Sequence, residues 1–513
     1  MKKRIERLRG MHDVLPENYR RQSLVVDRVR ALLEQAGYEP VDTPVLERSD
    51  LFQASFGQEA WQNLYAFQLH QRELCLRPEY TASICRLYLE NYQQHSLPLR
   101  FQYAGPVFRY EAPGRGRYRQ HTQLGVELFG GQPLRADSEI VQLACDILHE
   151  LGIGRYRLEL GHVGVASGFI ERQDLDSQTA RLLLSLMEQI SRSPEGEEAA
   201  QARLEALYPE QPANPSRQAT DEASAEAGRW QRLASADGSN YLVAALLRSF
   251  SLPFGDEDSR HEIVERFLWK IRRSEQRSKV LSALEFLRKL RALAGSPPEV
   301  FKELRQLLDS YGLEATPLEE LEQLVTTLIE VGGVDRRQIV LNLALGRGVR
   351  YYTGLLFEIH ASDEEGLDLQ LCGGGRYDHL VQAVGGTREV RACGFAFGLE
   401  RLIPLMPASQ WRQASRAHAL VIPIGKQDLA YASRVARLAR SQGGIIAELD
   451  VNAQGVKSGL RQAARRGWEL ALIVGEEERQ ANTVKLHDLA TGEERAVAYH
   501  ELVAALREGG YSR

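Results

Sequence analysis

The sequence predicts an α+β protein: an antiparallel sheet with flanking helices, interrupted by a mostly helical insertion and followed by a separate C-terminal α/β unit. Three observations predict it. Short apolar runs separated by Pro, Gly and charged turns fill Tyr38 to Gly131 and resume at Gln338, the texture of strands joined by turns. Strong helical periodicity with many charges fills residues 260 to 332. From Ala417 onward, strand-like and helix-like segments alternate, which predicts a small α/β unit with a largely parallel sheet.

Each element follows from its pattern. Val25, Val29, Leu32, Leu33 and Ala36 recur at helical spacing and stop near Gly37, so an amphipathic helix over 21–36 opens the chain. Leu99 to Phe108 and Leu124 to Phe129 read as two strands of a hairpin. Ile140 to Leu151 is helical and Leu158-Glu159-Leu160 strand-like. Residues 190 to 240 are rich in Glu, Ala, Pro, Ser and Gln, a composition that buries little surface and suits a linker or mobile insertion. Strands return at Ile339 to Leu343, Leu355 to Ile359, Leu367 to Leu371 and Gly394 to Gly398, the last leading into a helix. The final unit reads as strand 420–424, helix 429–439, strand 445–449, helix 456–466 and strand 470–474. The expected division is a core in two parts, 1–164 and 336–410, a helical insertion at 165–335, and the α/β unit at 416–513.

The chain has 513 residues, beyond the roughly 250 to 300 at which one core stops growing, so several domains are expected. Lys and Arg total 64 against 69 Asp and Glu, a net charge of -5, so any contact with nucleic acid must use local basic patches. Five scattered cysteines form no Cys-x-x-Cys pair, which argues against a disulfide framework or zinc site and fits a reducing cytoplasm. No run approaches the roughly 20 apolar residues of a membrane span, and the basic N-terminus lacks an apolar stretch behind it. There is no P-loop, no Gly-x-Ser-x-Gly elbow and no His-Glu-x-x-His metal motif.

Arginines must therefore hold any polyanion. Arg109 and Glu111 share one strand face in Phe108-Arg109-Tyr110-Glu111, and Arg117 and Arg119 follow in the loop. Guanidinium groups are always charged and grip phosphate oxygens in a bidentate fork; a surface ion pair is the plain alternative. In Leu76-Arg77-Pro78-Glu79-Tyr80-Thr81, a fixed backbone followed by a carboxylate and a hydroxyl suits an ammonium group, and an ordinary capped helix start with a solvated Glu79 is the alternative. Gly346-Arg347-Gly348-Val349-Arg350-Tyr351-Tyr352-Thr353-Gly354 sets an arginine between glycines before paired tyrosines, suited to a polar ring or to a tight turn. The stretch Leu371-Cys372-Gly373-Gly374-Gly375-Arg376-Tyr377-Asp378 places a cation over a buried strand edge, and Gly398-Leu399-Glu400-Arg401-Leu402 supplies a further arginine. His121 and His162 read as solvated or structural.

In this order the segments resemble the histidyl-tRNA synthetase family, of class II synthetase fold. Arg9-Gly10-Met11-His12-Asp13-Val14-Leu15-Pro16 resembles its N-terminal signature, Phe108 through Glu127 its motif 2, Arg347 to Thr353 its histidine-specific segment, and Gly398 to Leu402 its motif 3. The resemblance covers about 1–165 and 338–510. It implies that Arg109 contacts the ATP α-phosphate, Glu111 the adenine and Arg401 the bent triphosphate. Glu79 and Thr81 would take the histidine amino group, while Gln123, Glu127, Tyr351 and Tyr352 surround its carboxylate and imidazole. Arg347 would stabilise the pentavalent phosphorus, and Arg117 and Arg119 would reach the acceptor end of tRNA(His). Mg2+ would share the phosphates; no metal site of the protein's own is implied. The final unit resembles the family's anticodon-binding domain, and the family forms homodimers. Tyr80 stands where bacterial members commonly have glycine, a bulk that would crowd the amino-acid pocket; Tyr80→Gly is expected to leave activity intact if the pocket already accommodates the residue, and Arg350 adds charge beside the imidazole site. Leu160-Gly161-His162-Val163-Gly164 and Leu341 to Gly354 also resemble a paralogue, the non-catalytic regulatory subunit that partners the ATP phosphoribosyltransferase catalytic subunit, although that paralogue generally lacks the C-terminal domain. A degenerate paralogue binding RNA or histidine for another purpose is the third alternative.

Overall fold

The computed structural model describes residues 5–56, 64–112, 114, 116–192, 194–208, 276–345, 351–411, 417–452 and 455–511. The chain forms two compact units, Met1–Gln410 and Trp411–Arg513. Much of the stretch expected to be linker or mobile insertion, and the segment Gly346 to Arg350, lie outside the described residues.

Helix α1 (Pro16–Gln35) opens the first unit, with Pro16 at its first turn and Val25, Val29 and Leu33 buried along one stripe. It starts earlier than apolar spacing predicts because proline at the first turn forfeits no hydrogen bond the helix needs. Strands β1 (Glu39–Pro40), β5 (Leu99–Phe108) and β6 (Gln120–Phe129) begin the main sheet, and β2 (Leu46–Arg48), β3 (Ala66–Leu69) and β4 (Arg72–Leu76) form a small antiparallel sheet beside it. Helix α2 (Ser49–Phe56) follows β2 and α3 (Thr81–Asn91) follows β4. Helix α4 (Pro133–Glu150) is longer than the predicted 140–151, again through an N-terminal proline.

The main sheet continues through β7 (Arg157–His162), β8 (Ala294–Gly295), β9 (Ile339–Asn342), β10 (Leu355–Ser362), β11 (Asp368–Arg376) and β12 (Ala392–Gly398). Its nine strands run in the order β1-β5-β6-β12-β11-β10-β7-β9-β8. Only the β1–β5 and β7–β9 pairs are parallel. Helix α5 (Val163–Arg172) continues from β7, and the helices Pro297–Tyr311 and Thr316–Glu330 precede β9. One core cluster joins α3 to the sheet: Ile84, Cys85 and Tyr88 of the helix meet Phe101, Tyr103, Phe129 and Tyr377. Side chains from strands far apart in sequence thus close around one face of the sheet centre.

The second unit is a five-stranded sheet in the order β14-β13-β15-β16-β17, with β13 (His418–Pro423), β14 (Ile446–Leu449), β15 (Leu470–Val474), β16 (Thr483–Asp488) and β17 (Glu494–Ala498). β13, β14 and β15 are parallel, as the alternating pattern predicts; β16 and β17 add an antiparallel hairpin. Alternation along β13 divides Ala419 and Val421 from Leu420 and Ile422, and each set joins a different core cluster. Both faces are therefore covered, as parallel strands require. Among the described residues no helix is long and apolar enough to cross a membrane.

Candidate active site

The β5–β6 hairpin pairs Phe108 with Gln120, Gly105 with Gln123 and Phe101 with Glu127. On the other side of β6, β12 sets Gly394 opposite Glu127 and Gly398 opposite Gln123. Gln123 and Glu127 are four residues apart on one strand, so they share a face. Gly394 is required here: a Cβ on it would lie 2.0 Å from Glu127 Oε2.

Glu127 is buried and receives three hydroxyls. Thr81 Oγ1 donates to Oε1 at 2.7 Å, Tyr103 donates to the same oxygen at 3.2 Å, and Tyr377 donates to Oε2. Burial pushes its carboxyl up to about 8, against the pull of the hydroxyls from Tyr377 and Thr81. Glu79 is buried too, and its carboxylate accepts backbone N–H groups of Thr81 and Ala82 at the start of α3. It caps the helix, as one reading of the sequence has it, yet it is not solvated, and burial raises its pKa despite those bonds and nearby Arg109. Glu79 lies near enough to push the Glu127 carboxyl up further, and two buried carboxyls 48 positions apart in sequence suit a cationic or N–H-rich ligand. Gln123 adds a buried Oε1 with no hydrogen-bond partner among the described residues, the acceptor such a ligand would satisfy.

The cations lie alongside. Arg109 donates from Nε to Pro78 O at 2.9 Å, while Arg401 donates to Gly116 O at 2.9 Å and Gln370 O at 2.7 Å. Each guanidinium is tethered by carbonyls, which fix its direction without neutralising it. Burial first, then the charge of Arg109, lowers the pKa of Arg401, with Arg117 adding to the repulsion and Glu111 opposing it. His121 sits within reach of the same field: burial, Arg109 and Arg401 drive its imidazole down to about 3. Mutual repulsion of this kind is relieved by an anion. Glu400, beside Arg401, is turned to structure, accepting Thr122 N–H at 2.9 and 3.0 Å.

Arg109, Arg401, Arg117 and Glu111 are thus brought together, as are Glu79, Thr81 and Glu127. Tyr351 and Tyr352 lie 4.9 Å apart by ring centroid, and Tyr351 meets Tyr377 edge-on at 5.7 Å. Arg347 and Arg350 lie outside the described residues. Arg117 is exposed. The guanidinium of Arg119 instead bonds Glu111 O at 3.1 Å and Arg9 O at 3.3 Å and lies 4.0 Å from the Tyr110 ring centroid.

Tyr80 does not crowd the pocket. Its ring is fully buried, stacked 4.3 Å from Tyr103, with its hydroxyl on Arg77 and, at 3.0 Å, on Asp42 Oδ1. It runs under β5, where Gly105 makes way for it: a Cβ there would lie 2.1 Å from the Tyr80 hydroxyl. Tyr103, Tyr377 and His121 were not among the residues singled out for the site. Strand alternation alone puts Tyr103 on the Phe101 face, but nothing local tells that Tyr377 meets Glu127.

A largely antiparallel sheet whose β5–β6 hairpin carries arginines beside buried carboxyls, with a further arginine from the helix Leu399–Leu402 after β12, defines a class II aminoacyl-tRNA synthetase core. A family model described as histidyl-tRNA synthetase matches residues 10–206 and 238–402, and one described as an anticodon binding domain matches 418–509. The chain belongs to the histidyl-tRNA synthetase family. Among its relatives, the histidine–tRNA ligase of Methanocaldococcus jannaschii is 28% identical over 496 residues, spanning 96% of this chain and 97% of that protein. That of Archaeoglobus fulgidus is 29% identical over 507 residues, spanning 98% and 100%. The fold is shared with histidyl-tRNA synthetase from Nostoc sp. PCC 7120 (TM-score 0.61, 20% identity, 99% of this chain and 100% of that one). It is shared equally with a Bacillus halodurans protein titled ATP phosphoribosyltransferase regulatory subunit/histidyl-tRNA synthetase (TM-score 0.61, 20% identity, 93% and 99%).

Proposed function

We propose that this chain is a histidine–tRNA ligase: it joins histidine to ATP as histidyl-adenylate, releasing pyrophosphate, and passes the acyl group to the 3′ end of tRNA(His). The observation that carries this reading is the Glu127 pocket, with its triple hydroxyl support, lying beside tethered arginines whose charge no carboxylate pairs among the described residues. Full-length similarity to histidine–tRNA ligases supports it. The anticodon-binding match at 418–509 favours the ligase over the regulatory-subunit paralogue.

In this reading Glu79 and Thr81 take the amino group of histidine, and Gln123, Glu127, Tyr351 and Tyr352 surround its carboxylate and imidazole. Arg109 holds the α-phosphate, Glu111 the adenine and Arg401 the folded triphosphate, which enters as the Mg2+ complex of ATP. The histidine carboxylate oxygen bonds to the α-phosphorus while the bond to pyrophosphate breaks, and Arg347 offsets the extra charge on the phosphorus. Such catalysis is positioning and cationic neutralisation, with no covalent protein nucleophile. A terminal ribose hydroxyl of tRNA then attacks the acyl carbon and AMP leaves. Arg117, being exposed, is the better placed of the loop arginines for the acceptor end, since Arg119 is engaged within the hairpin.

A homodimer is supported by apolar side chains that the isolated chain leaves in water: Ile5 97%, Leu8 71% and Leu15 66% exposed, with Tyr19, Phe67 and Leu69 also exposed. Five free, buried cysteines fit a reducing cytoplasm. Histidine-dependent exchange of labelled pyrophosphate into ATP by the purified protein, with other amino acids as controls, tests the function. Exchange with histidine alone is the expected result; no exchange, with co-purification of a phosphoribosyltransferase, would select the regulatory reading.

A further inference from the structure

Arg376, at the end of β11, is 3% exposed and paired on both sides. Its Nη2 and Nε meet Asp137 at 2.7 and 3.2 Å, its Nη1 meets Asp378 at 2.9 Å, and Pro133 O takes a further bond at 3.2 Å. The forked, planar geometry engages α4 and the β11–β12 connection at once. A buried ion pair of this kind is on average no more stabilising than apolar residues of the same volume, so stability alone is a weak reason for it.

What the cluster does hold is the turn behind the paired tyrosines. Thr353 N–H donates to Arg376 O at 2.8 Å, and Thr353 Oγ1 accepts Asp378 N–H at 3.2 Å. Gly354 lies flat on the arginine stem, since a Cβ there would be 3.0 Å from Arg376 Cδ. Gly354 O in turn accepts Val163 N–H at 2.9 Å. The preceding residue, His162, accepts Gly164 N–H on Nδ1 at 3.0 Å, and its Nε2 lies 3.0 Å from Glu320. The turn is therefore held from both edges by bonds to the backbone of Arg376 and Asp378 on one side and of Val163 on the other, next to residues that the ion pairs and His162 fix.

We propose that Arg376 is a positioning residue for histidine recognition: held between Asp137 and Asp378, it fixes the Thr353–Gly354 turn and so sets where Tyr351 and Tyr352 meet the amino acid. The inference rests on the reading of those tyrosines as histidine contacts. Arg376 bonds Asp137, Asp378 and Pro133, whereas Arg401 bonds the far end of the same strand at Gln370 O, so the expected effect falls on the amino-acid side.

The test is pyrophosphate exchange by the full-length protein, with KM for histidine and for ATP measured separately in wild type, Arg376→Met and Thr353→Val. Arg376→Met should raise the histidine KM by about tenfold or more while the ATP KM stays within about twofold, the split expected when one substrate's binding is loosened. Thr353→Val removes the hydroxyl link and leaves both ion pairs in place; it should show the same split to a smaller degree, and it decides the matter should Arg376→Met fail to fold. An unchanged histidine KM in the folded variants, or both KM values rising together, would overturn the inference. A wild type without exchange overturns the ligase reading and the inference with it, whereas an active wild type with unsplit variants overturns only the inference.

Discussion

Thr81 donates its hydroxyl to Glu127 across 2.7 Å, tying the first turn of α3 to the C-terminal half of β6. The bond joins the two groups that hold opposite ends of the amino acid in the proposed complex. Once bound histidine has ionised Glu127, the hydroxyl has a charged partner, and such a hydrogen bond contributes about 1.5–3 kcal/mol. Thr81→Val should therefore raise the histidine KM in pyrophosphate exchange by about ten- to a hundredfold at constant ATP KM, and Thr81→Ser should restore most of it. Equal activity of the valine and serine variants would show that the hydroxyl is dispensable.

Burial pushes the Glu127 carboxyl up to about 8, so at about pH 7 it is mostly protonated before a ligand binds. An arriving ammonium or imidazole N–H favours the ionised form. Histidine binding should then release close to one proton at about pH 7 and almost none above about pH 9.5, which calorimetry in buffers of different ionisation enthalpy reads directly. The same shift has a stability consequence. The folded pKa lies above the unfolded one, so the group's contribution is complete below about pH 4 and is lost as pH rises to about 8. Glu127→Gln should accordingly gain in Tm over wild type between those limits while losing histidine activation; a constant Tm difference across that range would contradict the raised pKa.

Tyr80 is built into the core rather than accommodated in a pocket, so the condition under which glycine would do as well is not met. Tyr80→Gly removes a stacked ring and the hydroxyl shared with Arg77 and Asp42. Truncating a buried aromatic costs about 3–5 kcal/mol, and Tyr103, its stacking partner, supports Glu127. Denaturant unfolding should show that loss together with weaker histidine binding. Unaltered stability would mean that Tyr80 packs elsewhere in solution.

Gly10 has φ +84°, its carbonyl accepts Arg119 N–H at 3.0 Å, and a Cβ on it would sit 2.7 Å from Arg119 Cδ. The N-terminal segment thereby braces the loop carrying Glu111. Gly10→Ala meets both a disfavoured backbone and a clash, together about 1–3 kcal/mol. The ATP KM should rise by about tenfold and the histidine KM should not. A rise in the histidine KM alone would place the brace on the wrong side of the cleft.

Local signals made much of this legible. The apolar stripe Val25, Val29, Leu33 marks α1, the continuous apolar run of β13 marks a buried strand, and the order of the arginine-bearing segments marks the family. Arg109 and Arg401 could be named because a guanidinium is charged in any setting and must be accounted for. The start of α4 at Pro133 and the β16–β17 hairpin were not legible, the first because it is polar and the second because its pairing depends on a neighbour strand. Arg347 rests on resemblance alone, since it lies outside the described residues.

Sequence by itself determined which side chains are available, which of the strongly patterned segments are helix or strand, and that cations must hold any phosphate. Only the tertiary structure decided that Tyr80 lies beneath the sheet rather than in the pocket, that Tyr377 reaches Glu127 from 250 positions away, and that Arg376 faces Asp137 instead of a ligand. The physical reason is common to all three. Charge and periodicity are properties of a residue and its neighbours, whereas burial, pKa and hydrogen-bond partner are set by strands that meet only when the sheet closes.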